Sequence, residues 1–247
     1  MKHNYLLILL FLFNFCFSQS RLTKELQLFK SENFDDVTSA RKYLLGLHNK
    51  EVISALIEMS KDTSYVELKN TGDLIYPGTK RFYGHGWNVR YDIDWLSARA
   101  GWLLEEITFQ NFGFLKKEIS YNELVEITND KLILKRNDEA ERILTYRKII
   151  ADEAEKWWMK NENEWTDYYA LSEALKSYNV YRWDLAIHYL RFGDYIFENL
   201  NIENYTKELK PKLIEISNSK NSESTSFQAK LLLNDDENYW YSNKKIK

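Results

Sequence analysis

Apolar residues recur at helical spacing along most of this chain. Leu22, Leu26 and Phe29 form a short amphipathic start. Val37, Ala40, Arg41, Leu44, Leu45 and His48 then keep to one helical face, with Asp36 available as a cap and Gly46 and Asn49 marking the exit. Val52, Ile53, Leu56, Ile57 and Met59 make a second stripe ending near Asp62, so the two helices are expected to pack as a hairpin. Asp94 stands where the next helix begins. That helix carries Leu96, Ala100, Leu103, Leu104 and Ile107, with small Ala98, Ala100 and Gly101 allowing close approach of a neighbour. Leu124 and Ile127 suit a helix, while Lys131 to Lys135 reads as a short strand. The longest periodic run goes from Ala140 to Trp158. Leu171 to Tyr178 marks another helix, and Trp183 to Leu190, with Phe197 and Leu200, a third. Pro211 should kink or restart the helix around Tyr205 to Ile216. Residues 217–226 read as a loop, followed by a last short helix around Leu231.

Punctuation sharpens this picture. The 247 residues include only two prolines and eight glycines, which favours an all-α fold of helical hairpins in a short irregular solenoid or bundle. Pro77, Gly72, Gly78, Gly84 and Gly86 all fall between Thr71 and Trp87. Residues 63–92 are therefore expected to form one long irregular insertion.

The first residues carry a different pattern. Lys2 precedes an apolar run from Tyr5 to Phe13, and small Cys16 and Ser18 then suit a signal peptidase, with cleavage between Ser18 and Gln19. Residues 1–18 are expected to be a signal peptide and 19–247 a single helical domain, with a possible subdivision at 115/116. The chain is thus expected to be exported, to the periplasm or the outside. The run is shorter than the roughly 18 apolar residues of a membrane span, and Phe13, Asn14 and Phe15 are unlike a lipobox before Cys16; anchoring and lipidation are the alternatives. Cleavage removes Lys2 and the single cysteine, moving the formal charge from −3 to −4, because one basic residue and no acidic one is lost. The chain must then be held by its core without disulfides. Its charge balance lacks the basic excess of a nucleic-acid binder, and no later stretch is apolar enough to span a bilayer.

Ala40-Arg41-Lys42-Tyr43-Leu44-Leu45-Gly46-Leu47, then Glu51 to Met59, then Lys61-Asp62, resembles a HEAT-type helical repeat. Ser97 to Ile107 is similar to the first helix of a following repeat. Trp183 to Leu190 followed by Gly193 is similar to a tetratricopeptide helix. No fixed period of about 34 to 40 residues runs through the chain. The resemblance implies a scaffold that binds another macromolecule on a concave face.

Candidate chemistry is sparse. The sequence lacks a phosphate-binding Gly-rich loop ending in Lys-Ser/Thr, a nucleophile elbow, a His-Glu-x-x-His helix and a Cys-x-x-Cys pair. His85 stands between Gly84 and Gly86, with Asp92, Asp94 and Arg99 following. It could act as a general base oriented by Asp92 or Asp94, or serve as a turn residue while Asp94 caps a helix and Arg99 neutralises it. Two candidate ligands are too few for a metal site, and no cofactor is expected. His48 is placed to meet a helix C-terminal dipole, and His188 lies one turn from Asp184. Glu105 and Glu106 project about 100° apart, so they do not face each other as an acid/base pair; solvation or pairing with Arg99 is the expected role.

Aromatic residues cluster at Tyr76, Phe82, Tyr83, Trp87, Tyr91, Trp95 and Trp102. Exposed, such rings would suit a protein contact or sugar stacking; buried, they would pin the insertion to the helical body. Trp157, Trp158, Trp165, Tyr168 and Tyr169 are expected in the core. The leading expectation is a non-enzymatic scaffold for a protein partner, contacted through Tyr76, Phe82, Tyr83, His85, Trp87, Tyr91 and Arg99, with an envelope inhibitor or immunity protein as its refinement. A glycan-hydrolysing envelope enzyme using His85 with Asp92 or Asp94, and a saccharide-binding protein, are the alternatives.

Overall fold

Asparagine, rather than aspartate, opens most of the capped helices. The computed structural model describes residues 21–69, 83–84, 87–88, 93–114, 116, 118–128, 139–193, 197 and 199–235. Residues 21–29 form α1. Asn33 then caps α2 (Phe34–Leu47), its side chain accepting from the Asp35 amide, and Asn49 caps α3 (Lys50–Ser60) by accepting from the Val52 amide. Asp36, the expected cap of α2, instead accepts from the Ser31 hydroxyl. The correction is local: α2 begins three residues earlier than expected, so Asp36 already lies within it. His48 ends α2 in the left-handed region, at φ 39°, which His tolerates better than most non-glycine residues.

The fold is all-α, with one minimal exception. Tyr83–Gly84 (β1) and Trp87–Asn88 (β2) pair antiparallel, Tyr83 opposite Asn88 and Gly84 opposite Trp87. The remaining helices are α4 (Leu96–Thr108), α5 (Tyr121–Thr128), α6 (Glu139–Asn161), α7 (Asp167–Lys176), α8 (Val180–Phe192), α9 (Ile202–Asn204), α10 (Lys210–Ser217) and α11 (Glu223–Asp235). Among the described residues, no helix is long and apolar enough to cross a membrane. The possible strand at Lys131 to Lys135 lies outside the described residues.

Two boundaries differ from expectation for identifiable reasons. Gly193 caps α8 by donating its amide to the Tyr189 carbonyl, so Phe197 and Leu200 are buried from an irregular segment rather than from the helix. Helix α11 starts at Glu223, with the Ser222 hydroxyl accepting from the Thr225 amide, which shortens the expected Ser- and Asn-rich loop. Before Pro211 the backbone widens into a π-helical turn, Tyr205–Leu209, and α10 restarts with the proline in its first turn. Proline offers no amide to the carbonyl four residues back and crowds it, and the wider turn accommodates that loss.

The chain divides into two compact units. One comprises Met1–Ala100 and Leu115–Lys148, the other Gly101–Phe114 and Ile149–Lys247. In the first, Phe29, Val37, Leu44, Ile53, Leu56 and Leu124 are buried; in the second, Leu103, Leu104, Leu171, Trp183, Leu190, Leu213 and Leu232. Helix α4 contributes to both units and is buried on almost every side, only Trp102 and Glu106 being half-buried. A helix that is apolar all round belongs in an interior, yet this one carries Arg99 and Glu105, each with no exposed surface.

Candidate functional site

The start of the insertion is tied down by backbone pairing. Lys69 donates to the Glu32 carbonyl and Phe34 to that of Lys69, while Val66 donates to Asp94 and Leu96 to Ser64. Asp94 reinforces this seam. Its carboxylate accepts from the Leu68 amide at 3.0 Å and from the Tyr65 hydroxyl at 3.3 Å, and Tyr65 meets Trp95 edge-on at 5.1 Å. The expected N-cap role does not hold, because α4 begins only at Leu96 and the side chain is engaged by the 65–68 segment.

Arg99 holds the same seam from within. Its Nε donates to the Ile93 carbonyl at 2.8 Å, Nη1 to Phe29 at 2.8 Å and Ser31 at 2.9 Å, and Nη2 to Val66 at 3.2 Å. A planar fork with five donors suits such a gathering of carbonyls. Burial lowers its pKa to about 10 while nearby Asp94 opposes the shift, so the guanidinium stays charged at neutral pH. Expected on the binding surface, Arg99 instead lies wholly inside, joining three irregular segments. Of the other expected contact residues, Tyr83 and Trp87 are placed by backbone alone in the β1–β2 ladder. Tyr76, Phe82, His85, Tyr91 and Asp92 lie outside the described residues.

Glu105 is the feature that sequence reasoning misassigned. Rather than being solvated or paired with Arg99, its Oε1 accepts from the Gly113 amide at 2.7 Å and the Phe114 amide at 3.0 Å, and its Oε2 from the Tyr181 hydroxyl at 2.8 Å. Burial raises its pKa to about 7 against the opposing pull of these hydrogen bonds. A carboxyl titrating there has the profile of a general acid, but this one has no exposed surface on which to meet a substrate. The available signal was the sequence around it: Leu103, Leu104 and Ile107 surround it with apolar neighbours, so a glutamate there needed internal donors.

The histidines follow the same logic. Burial holds His48 neutral, lowering its pKa to about 3, so it caps α2 without the charge that would favour a helix dipole. His188 lies beside half-exposed Phe192, the ring centres 5.0 Å apart and the planes tilted by 49°. In the aromatic group at the α6–α7 junction, Trp158 and Trp165 are buried and meet edge-on at 5.8 Å, whereas Tyr169 is exposed. No group of three or more metal-ligating side chains occurs among the described residues.

A surface concavity lies in the first unit. A groove of about 470 Å³ runs between α1 and α3, lined by Thr23, Leu26, Gln27 and Lys30 on one side and Ala55, Glu58, Met59, Lys61 and Asp62 on the other. Leu26, Ala55 and Met59 give it an apolar floor. On the rim, Lys30 pairs with Asp62 at 3.7 Å and Lys61 with Glu58 at 3.2 Å. Asp62 also accepts from the Ser64 amide, which together with Lys30 keeps its carboxyl below the usual range. Neither the groove nor its rim pairing was visible in the spacing of residues, since both require α1 to lie beside α3. Comparison with family models, with curated proteins and with solved structures finds no match for this chain.

Proposed function

We propose that this chain is an exported helical scaffold that binds a protein partner, and that the groove between α1 and α3 receives an apolar side chain from an amphipathic helix of that partner. The observation carrying this reading is the groove's chemistry: an apolar floor of Leu26, Ala55 and Met59 between two internally paired charge couples. The rim is balanced, two lysines against two carboxylates, so a strongly charged ligand gains little there. Removing an apolar side chain from water onto such a floor is favourable in proportion to the area covered. Helix α3, which borders this groove, belongs to the segment resembling a HEAT-type repeat, a class that binds macromolecules on its helical faces. The aromatic insertion at 70–95 supplies a second contact element in this reading, supported by its sequence. The leader-like first 18 residues support export.

Ala55→Arg tests the groove directly. Position 55 is half-buried on α3, and arginine is a good helix former, so the variant should fold while obstructing the floor. The mature wild-type protein is used to capture a partner from envelope extract, and the purified partner is then titrated against both forms. The expected result is a loss of affinity on the order of tenfold or more, or about 1.4 kcal/mol. Equal affinity of the two forms would remove the groove from the account.

A further inference from the structure

The link between α10 and α11 sets two identical dipeptides almost side by side. Asn218-Ser219 and Asn221-Ser222 are the chain's two Asn-Ser steps, and Asn-Gly does not occur. A small residue after asparagine leaves its backbone nitrogen open to the asparagine side chain, the encounter from which a succinimide forms. Both asparagines are exposed, so access to water does not separate them. Their hydrogen bonds do. The Asn218 side-chain amide donates to the Ile214 carbonyl at 3.0 Å, and the Ser219 backbone amide donates to the Ile216 carbonyl at 3.0 Å. Among the described residues, the Asn221 side chain has no hydrogen-bond partner and the Ser222 amide has no acceptor. The rest of Ser222 is engaged. Its hydroxyl accepts from the Thr225 amide at 3.2 Å and the Thr225 hydroxyl at 2.8 Å, and its carbonyl accepts from the Ser226 amide at 3.0 Å.

We propose that Asn221 is a site of spontaneous deamidation, and that the fold shields Asn218 from the same reaction. Loss of the Ser222 amide proton to solvent base lets that nitrogen attack the Asn221 side-chain carbonyl carbon. The bond from that carbon to the side-chain nitrogen breaks, and ammonia leaves after taking a proton from water. The product is a five-membered succinimide. Water then opens the ring at either carbonyl. One opening gives aspartate at position 221, and the other gives isoaspartate, with the main chain running through the former side chain. The net change is asparagine plus water to a carboxylic acid plus ammonia, with no oxidation or reduction.

Asn218 must surrender two hydrogen bonds before it can react: one holds the attacking N–H and the other the departing nitrogen. A single bond of ordinary net strength already slows the reaction there by roughly fivefold or more relative to Asn221. The aspartate product at position 221 sets a negative charge beside the N-terminus of α11, where the helix dipole favours it. The isoaspartate product instead adds a methylene to the main chain just before the Ser222 cap. The inference concerns the α10–α11 link and does not rest on the groove.

The test needs no variant. The full chain is incubated at mildly alkaline pH, native or unfolded in urea, and samples are cleaved after lysine. This releases residues 213–220 and 221–230 as separate peptides, each with one asparagine. Mass spectrometry follows the gain that accompanies replacement of the side-chain nitrogen by oxygen, after subtraction of a zero-time digest. Fragmentation assigns the gain to position 221 rather than to Gln228. In the native chain, peptide 221–230 should convert roughly fivefold or more faster than 213–220. In urea the two rates should converge, because the residue after each asparagine is the same. Electron-transfer fragmentation should show both aspartate and isoaspartate at position 221. Equal native rates, faster conversion of 213–220, or a native 221–230 that stays intact while the unfolded chain converts would each overturn the proposal. So would aspartate without isoaspartate, which would indicate direct hydrolysis rather than attack by Ser222.

Discussion

Arg99 and Glu105 are charged side chains on one helix, both removed from water, and they stabilise their surroundings in opposite ways. In the first unit, Arg99 gathers carbonyls from Phe29, Ser31, Val66 and Ile93 with a cation that stays charged across the ordinary pH range. In the second, Glu105 gathers the amides of Gly113 and Phe114 and the Tyr181 hydroxyl with a group whose charge is in balance near neutrality. The donors and acceptors are equally well supplied in both cases. What differs is whether the central group titrates. The Arg99 seam is centred on a permanent cation, and the Glu105 turn on a carboxyl that burial raises to about 7.

The comparison breaks most severely at Arg99. Replacing it with Met leaves four carbonyls without their donors, three of them in segments lacking regular structure, and should destabilise the protein by about 4 kcal/mol or more. Urea unfolding at pH 7 measures this, and a loss below about 1 kcal/mol would show that water or neighbouring amides replace the fork. Glu105→Gln sharpens the other side. Wild-type stability should fall by about 2 kcal/mol as pH rises from 5.5 to 8.5, following the shift of the Glu105 carboxyl from its usual value to about 7. The variant should lack that decline, so its advantage should grow with pH. Gly101→Val probes the packing of the turn after α4. Its side chain would collide with the Phe114 ring, at a cost of about 2 to 3 kcal/mol in thermal or urea unfolding.

A gentler contrast lies on the acid side. His48 is held neutral in the folded protein, so stability is present above its unfolded pKa near 6.5 and declines as pH falls toward about 3. His48→Asn keeps a residue suited to the left-handed cap and should flatten the acid decline while leaving the alkaline one untouched. An unchanged acid profile would assign that limb to other groups.

The helices were legible because burial imposes a 3.6-residue period on the sequence, and α2, α3, α6, α7 and α8 follow it closely. Their caps were less so. Asp36 and Asp94 looked suitable, yet Asn33 caps α2 and Asp94 serves the 65–68 segment, because a cap depends on where the chain enters the helix rather than on residue type alone. The end of α8 was announced by Gly193, but buried Phe197 and Leu200 extended the apparent period beyond it. Arg99 and Glu105 were read as surface partners of one another because charge was weighed before environment. Their apolar neighbours Leu96, Leu103, Leu104 and Ile107 pointed the other way. The groove was beyond reach, since nothing in the sequence states which helix lies beside α1.

The most direct test of the proposed function places a photocrosslinker at Gln27, on the groove rim, and a second at exposed Lys220 as a control, with the protein produced in its native envelope. The account predicts one discrete protein adduct from position 27, lost when Ala55→Arg is added, and none from position 220. No adduct from position 27, or the same bands from both positions, would contradict it.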